Sequence, residues 1–174
     1  MRKKRLSTIV IVMSVFASAC AARSGASPSS ADSVMPSPSA ATAADCRPTE
    51  ARAAFVPPPP FAKQPAAVHD SRWFGTPSLW TMLRPGDKPD GLSQKLFWWS
   101  ADWAPDTEPN PAITVVARRL DGTASLAAGP GTNATSDFGT AMLVGVQFPT
   151  GGCWEVTGRY RGSSLSYVEW VVGG

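Results

Sequence analysis

From about residue 70 onward, apolar residues occur in short runs that are separated by Gly, Pro, Asn and Asp. Runs of this length between turn-forming residues are typical of β-strands. A long helical period of apolar residues is not evident in this region. The pattern predicts six strands, at Ser78–Leu83, Gln94–Trp99, Ala112–Leu120, Ala141–Phe148, Cys153–Tyr160 and Ser164–Val172.

The last two strands are predicted to form a hairpin. In the first of them, apolar and polar residues alternate, which is the period of a half-buried strand. Arg161 and Gly162 form the predicted turn. The returning strand is apolar on both faces, so the pattern leaves open which face is inward: Leu165, Tyr167 and Val171, or Val168, Trp170 and Val172.

The strands predict an all-β domain of about 130 residues, spanning 46–174. This length supports one hydrophobic core but not two. Six or seven short strands favour an immunoglobulin-like antiparallel β-sandwich. Its first part, residues 46–68, is a Pro-rich lead-in, in which Pro57–Pro60 favours extended polyproline chain. Because Phe55 and Phe61 flank these prolines, we expect the lead-in to lie across the domain surface.

The N-terminus has the order of a secretory signal peptide, which we assign to residues 1–19. Four cations at Arg2–Arg5 precede the apolar run Leu6–Phe16, and small residues follow. This run falls well short of the roughly 20 residues that a transmembrane helix needs. The chain is therefore predicted to be exported, and not to be held by a permanent transmembrane helix.

The residues Ala17-Ser18-Ala19-Cys20 resemble the lipobox of bacterial lipoproteins. The resemblance implies that Cys20 carries a lipid and that the protein is anchored to a membrane of the bacterial cell envelope. Ala17 stands where that family usually has Leu, and Ala17-Ser18-Ala19 is also an A-x-A cleavage site, so a secreted protein is the alternative. Residues 20–45 are rich in Ala, Ser and Pro and are predicted to form a disordered tether.

If Cys20 carries lipid, Cys46 and Cys153 are the two remaining thiols. Paired cysteines on the oxidising side of a membrane usually form a disulfide, so this bond is predicted. Such a bond closes a loop of about 100 residues and is worth about 4 kcal/mol in the chain-entropy model. Two unpaired thiols are the alternative.

The net charge of +3 does not indicate a nucleic-acid partner. Removal of the four signal-peptide cations leaves twelve Lys and Arg against thirteen Asp and Glu. The mature chain also has no basic run with interleaved aromatic residues. Nucleic-acid binding therefore lacks its electrostatic basis.

Three aromatic motifs resemble a family of uncharacterised exported and lipid-anchored bacterial proteins. They are Trp73-Phe74-Gly75 with Leu79-Trp80, then Trp98-Trp99, and finally Phe148-Pro149-Thr150-Gly151-Gly152-Cys153-Trp154-Glu155-Val156-Thr157-Gly158-Arg159. The resemblance implies an immunoglobulin-like fold and an envelope location. It implies no catalytic residues, because that family has no assigned activity.

The residues that usually carry catalysis are scarce. His69 is the single histidine, so a zinc or copper site and a cofactor are not expected. A hydrolase acting through His69 is a further alternative, although the chain lacks a G-x-S-x-G motif. Asp102, Asp106 and Glu108 lie in one Pro-rich loop, where a solvated turn explains them better than opposed catalytic carboxylates. We therefore predict a non-enzymatic binding or envelope-structural module.

Trp98, Trp99 and Trp103 are the candidate ligand-binding residues. Exposed aromatic rings on a β-sandwich bind sugars or peptides at low entropic cost. Trp98 and Trp99 are adjacent and point to opposite faces of their predicted strand, so at least one faces away from the core. The alternative is that one packs inside and the other lies under a loop or a neighbouring strand. A surface carbohydrate- or peptide-binding protein is thus the second functional hypothesis, and the ligand stays open.

Overall fold

The computed structural model describes residues 46–51, 55–61, 70–85, 90–136 and 139–173. The described residues form two antiparallel sheets, with strand orders β1-β2-β3-β7-β6 and β5-β4-β8-β9. The predicted all-β, antiparallel β-sandwich is therefore confirmed. The strands are β1 (Arg72–Thr76), β2 (Leu79–Leu83), β3 (Ser93–Trp99), β4 (Thr114–Arg119), β5 (Ser125–Ala128), β6 (Thr132–Ser136), β7 (Gly139–Gln147), β8 (Gly152–Tyr160) and β9 (Ser163–Val171).

All six predicted strands are present, as β2, β3, β4, β7, β8 and β9, with ends that shift by at most two residues. The pattern missed β1, β5 and β6. These three strands are short and lie at sheet edges. An edge strand has only one paired neighbour, and small or polar residues such as those of β5 and β6 carry little apolar signal.

The main core fills the space between the sheets. Trp98 of β3 and Trp154 of β8 are fully buried there, together with aliphatic residues of β4 and β7. Trp98 lies against the backbone of β8 at Gly158, where an added Cβ atom would stand 2.6 Å from the indole ring. The absence of a side chain at Gly158 therefore lets the two sheets approach around Trp98.

A second apolar cluster covers the outer face of the first sheet. It consists of Trp73, Trp80, Trp99 and Ala141, and Phe55 and Phe61 of the lead-in pack over it. The Phe61 ring centroid lies 5.8 Å from that of Trp80 and 6.3 Å from that of Trp99. The expectation that the lead-in lies across the domain surface is thus met where the structure describes it.

The predicted disulfide between Cys46 and Cys153 is present, with the Cα atoms 5.5 Å apart. It fixes the start of the lead-in beside β9, an edge strand of the second sheet. The Thr49 amide donates a 2.8 Å hydrogen bond to the Val168 carbonyl, and the Val168 amide donates one of 2.8 Å to Thr49 Oγ1. The lead-in thereby occupies backbone groups that an open edge would expose.

The C-terminal hairpin has the predicted turn. Arg161 and Gly162 adopt φ values of 45° and 82°, as in the type I′ turn that suits a two-residue hairpin. The structure also settles which face of β9 is inward, because Tyr167 and Val171 belong to the main core and Leu165 packs against it. Glu169 has the same parity along β9 as these residues and therefore points inward as well.

Several sequence predictions lie outside the described residues. They are the signal peptide at 1–19, the lipid on Cys20, the tether at 20–45, and His69. In the ranges that are described, no helix is long and apolar enough to cross a membrane.

Candidate functional site

A cleft opens where β2 and β3 separate. In the described sheet, the two strands pair only through Trp80 with Trp99 and Thr81 with Trp98. The connection between them instead reaches β9, where Asp90 forms a bridge with Val171. The resulting space of about 330 Å³ is the β2–β3 cleft, and its lining includes Met82, Leu83, Gln94, Leu96, Tyr167 and Glu169.

Glu169 is the unusual residue of this cleft. Its neighbours on the inward face of β9, Tyr167 and Val171, are 5% and 0% exposed and belong to the apolar core. A carboxyl group at such a position loses its hydration, which is costly unless other groups compensate. Stabilisation of the core does not account for an acidic residue at this point of the strand.

The carboxyl of Glu169 is only partly satisfied. Its side chain has a hydrogen bond with Gln94. The second oxygen, Oε1, has no contact with solvent and no hydrogen-bond partner among the described residues. Burial raises the pKa of Glu169 to about 7, and the negative charge of Asp90 adds to the increase, while the Gln94 hydrogen bond and Arg84 oppose it.

An ion pair between Arg84 and Asp90 lies at the rim of the cleft. Because Arg84 forms this ion pair with Asp90, the positive charge of Arg84 is not available to Glu169 alone. Gln94 is held in place as well, since its Nε2 donates a 3.2 Å hydrogen bond to the Gly91 carbonyl. The cleft therefore has polar groups in fixed positions around one buried carboxyl.

Tyr167 forms part of the apolar floor beside Glu169. Burial raises the pKa of Tyr167 well above its ordinary value, and the negative charges of Glu169 and Asp90 act in the same direction. The phenol therefore stays protonated, and Tyr167 adds no charge to the cleft. Its ring packs against Trp98, with the centroids 6.0 Å apart.

The disulfide is structurally connected to the cleft. Pro48 and Thr49, two and three residues after Cys46, line its rim. The Cys46 sulfur also lies 3.8 Å from the backbone carbonyl oxygen of Glu169. The Cys46–Cys153 disulfide thus holds in place the segment that forms one wall of the cleft.

The three candidate tryptophans do not form an exposed aromatic surface. Trp98 is 0% exposed, Trp99 is 1% exposed and Trp103 is 9% exposed. Trp98 packs between the sheets and Trp99 lies in the outer cluster under Phe61. The alternative predicted from the sequence was that one of these two rings packs inside and the other is covered. That alternative describes Trp98 and Trp99 correctly. A surface shelf of indole rings is therefore not available for ligands.

In the loop that contains Asp102, Asp106 and Glu108, the predicted solvated turn describes Asp102 and Asp106, which are exposed, but not Glu108. Glu108 is half-buried and accepts hydrogen bonds from Tyr160 Oη at 2.5 Å and from Arg161 Nη2 at 2.7 Å. These contacts lower the pKa of Glu108, with the Tyr160 hydrogen bond as the largest cause. Arg161 Nη1 also donates to the Asp102 carbonyl. Glu108 thus connects the loop to the C-terminal hairpin, and Asp106 is exposed nearby.

No group of three or more His, Cys, Asp or Glu side chains is positioned for a metal ion in the part of the chain that the structure describes. Glu169 is the residue that sequence reasoning missed. In the sequence, Glu169 lies two residues after Tyr167 and two before Val171. This spacing places an acidic side chain on an otherwise apolar face of the strand, and it could have identified the residue.

In comparisons with known protein families, curated proteins and solved structures, the chain has no match. The function is therefore inferred from the cleft and from the sequence itself.

Proposed function

We propose that the protein is a lipid-anchored, extracytoplasmic binding module, non-enzymatic, whose ligand site is the β2–β3 cleft. The order of charged, apolar and small residues before Cys20 supports export and lipidation. The Cys46–Cys153 disulfide fits an oxidising compartment. Residues 20–45 would then hold the sandwich away from the bacterial membrane.

The observation that carries the binding function is the Oε1 atom of Glu169, which lies beside an open cleft and has no hydrogen-bond partner among the described residues. A buried polar atom that lacks a hydrogen bond typically costs about 1–3 kcal/mol. An apolar side chain at this inward position of β9 would avoid that cost. A ligand that donates a hydrogen bond to Oε1 would recover it, so the carboxyl is better explained by binding than by folding.

The location is tested by the mass of the mature protein from a bacterial host. A chain that begins at lipid-modified Cys20 is expected, and a block of prolipoprotein processing should leave the precursor uncleaved. A mature chain that begins elsewhere without lipid would contradict the anchor. The Cys20→Ser variant is the matched control, since it keeps the export signal and removes the acceptor of the lipid.

The ligand site is tested by a fragment screen of the folded domain by NMR. We expect fragments to shift the amide signals of β2, β3 and β9 around the cleft. The Glu169→Leu variant should lose most of these responses, because it removes the acceptor and fills space beside Tyr167. The matched control is Glu155→Leu on β8, where the side chain forms an outward ion pair with Arg118. Equal responses in both variants would place the fragments elsewhere.

Acid–base catalysis by Glu169 is a second candidate function. The observation that favours it is a carboxyl whose pKa is about 7 in a cleft that also contains Asp90. A general acid or base works best with a pKa near the working pH. Turnover of a chromogenic glycoside or ester that Glu169→Gln abolishes would favour this candidate. If wild type and variant show the same rate, catalysis by Glu169 is excluded.

A further inference from the structure

The chemistry around Glu169 specifies a class of ligand, and this inference rests on the proposed binding function of the β2–β3 cleft. Among the described residues, the other charged groups that line the cleft are Asp90, Arg84 and Lys95. Arg84 is paired with Asp90. Lys95 lies between the inward residues Gln94 and Leu96 on β3, and its side chain is exposed on the opposite face.

An ionised Glu169 therefore has no cation of its own in the described part of the chain. Tyr167 is held neutral by burial and contributes no charge. Asp90 contributes a second negative charge that opposes ionisation of Glu169. Among the described residues, no positively charged N–H donor is positioned at Oε1.

The rest of the cleft restricts the size and polarity of the group that supplies this charge. Leu83 and Leu96 are buried on the facing strands β2 and β3, and the ring of Tyr167 lies on the β9 side. These walls suit an aliphatic or small aromatic segment. The volume of about 330 Å³ is near the lower limit for small-molecule sites, which excludes a large ligand from full enclosure.

We propose that the β2–β3 cleft binds a small organic amine, whose ammonium group donates a hydrogen bond to Glu169 Oε1 and whose apolar part contacts Leu83 and Leu96. The ammonium supplies the charge and the donor that no described residue provides at Oε1. A charge-assisted hydrogen bond of this kind is stronger than a neutral one. An uncharged alcohol of the same shape would supply the apolar contacts and a weaker donor.

The proposal predicts a pH dependence of binding. An ammonium ion binds the ionised form of Glu169, and in the free protein this form dominates above pH 7 because the pKa is about 7. Below that pH, binding must displace a proton from the carboxyl. Linkage then makes the apparent dissociation constant about a hundredfold weaker at pH 5 than at pH 8.

The experiment uses the full mature chain and two probes of matched shape, butylamine and 1-butanol. Each is titrated at pH 5 and pH 8 while the amide signals of β9 and the Gln94 side-chain amide are followed by NMR. Butylamine is expected to bind at least tenfold more tightly than 1-butanol at pH 8. Glu169→Gln, which keeps the shape and removes the charge, should weaken butylamine binding at least tenfold and abolish its pH dependence. Glu155→Gln should leave both unchanged.

The possible outcomes distinguish a wrong ligand class from a wrong binding function. If butylamine and 1-butanol bind in the cleft with equal affinity, the cleft is a ligand site but its ligand class is not an amine. If Glu169→Gln binds butylamine as wild type does, the assigned contact is wrong. If neither probe and no fragment of the screen shifts cleft signals in a protein with its disulfide intact, both the ligand class and the binding function are overturned.

Discussion

Tyr160 donates a 2.5 Å hydrogen bond from its hydroxyl to the Glu108 carboxylate, 52 residues earlier in the chain. The same carboxylate accepts from Arg161, and its other oxygen accepts from the Ala112 amide at 2.9 Å. One exposed turn of the last hairpin is thereby connected to the loop before β4. The cluster explains why Glu108, which has the residue type of a catalytic acid, has a structural role in this protein.

We expect Tyr160→Phe to lower the unfolding midpoint at neutral pH, because Glu108 loses its strongest partner. The pKa of Glu108 is lowered in the folded state, so this stabilisation is fully present above the ordinary Glu pKa and is lost as the carboxylate becomes protonated in acid. The difference in midpoint between wild type and variant should therefore shrink below about pH 4. A difference that stays constant from pH 7 to pH 3 would contradict this assignment. Burial and Glu108 raise the pKa of Tyr160 itself to about 12, so the phenol does not titrate in this range.

Gly158→Ala should destabilise the sandwich by about 1–3 kcal/mol, because overpacking of a core forces side chains or backbone to shift. The added Cβ would lie 2.6 Å from the Trp98 ring, which is enclosed between the sheets. The matched control is Gly145→Ala on β7, where an added Cβ meets nothing within 4 Å. Urea denaturation measures both variants. A Gly158→Ala protein as stable as Gly145→Ala would show that Trp98 can move freely.

The sequence pattern identified the central strands and the long apolar edge strand β9, and it missed the short edge strands β1, β5 and β6. β3 and β8 have central positions in their sheets, and each carries a clear apolar signal, a continuous run in β3 and an alternation in β8. β6 reads TNATS and pairs on one side only, so its residues carry no such signal. The disulfide was predicted as well, on the premise that the chain is exported and that Cys20 carries lipid, which leaves Cys46 and Cys153 as one pair.

The candidate site was not predictable to the same degree. Trp98 and Trp99 have the residue type that often binds ligands. Whether their rings are exposed depends on Gly158, which lies against Trp98, and on Phe61, which packs on Trp99, and both are remote in sequence. Glu169 was overlooked because both faces of β9 are rich in apolar residues, and the face opposite the core also includes Trp170. The cleft itself depends on the separation of β2 from β3, a tertiary feature without a local pattern.

Removal of the disulfide by Cys46→Ser and Cys153→Ser together should lower the free energy of unfolding by about 4–5 kcal/mol in the chain-entropy model. The bond joins residues 107 apart. We also expect faster hydrogen exchange at the Val168 amide, whose acceptor is Thr49 Oγ1. Denaturant unfolding and exchange by NMR check the two effects. Unchanged protection of Val168 would show that the lead-in stays on β9 without the bond.

Glu169→Leu should stabilise the free protein by about 1–3 kcal/mol at pH 8, because it replaces a buried carboxyl with an unpartnered oxygen by an apolar side chain. The same variant is expected to lose ligand binding, so stability and function change in opposite directions. Glu155→Leu is the control, since its ion pair with the well-exposed Arg118 is worth little. If Glu169→Leu is less stable than wild type at pH 8, the carboxyl contributes to folding and the argument for a binding role is weakened.

The pH dependence of stability gives the most direct test of the Glu169 environment. The folded pKa is raised from 4.5 to about 7, so between these values the unfolded chain has already lost the proton that the folded chain retains. The free energy of unfolding should therefore fall as pH rises through this window, by about 3 kcal/mol in all, and change no further above pH 7 on account of this group. The free energy of unfolding of the wild type should fall with pH in this window, whereas that of Glu169→Gln should lack this fall because the amide does not titrate. Guanidinium unfolding at half-unit steps from pH 4 to pH 8 measures it. Parallel curves for the two proteins would show that Glu169 is solvated in the folded state, and the cleft would then lack the buried acceptor on which amine binding depends.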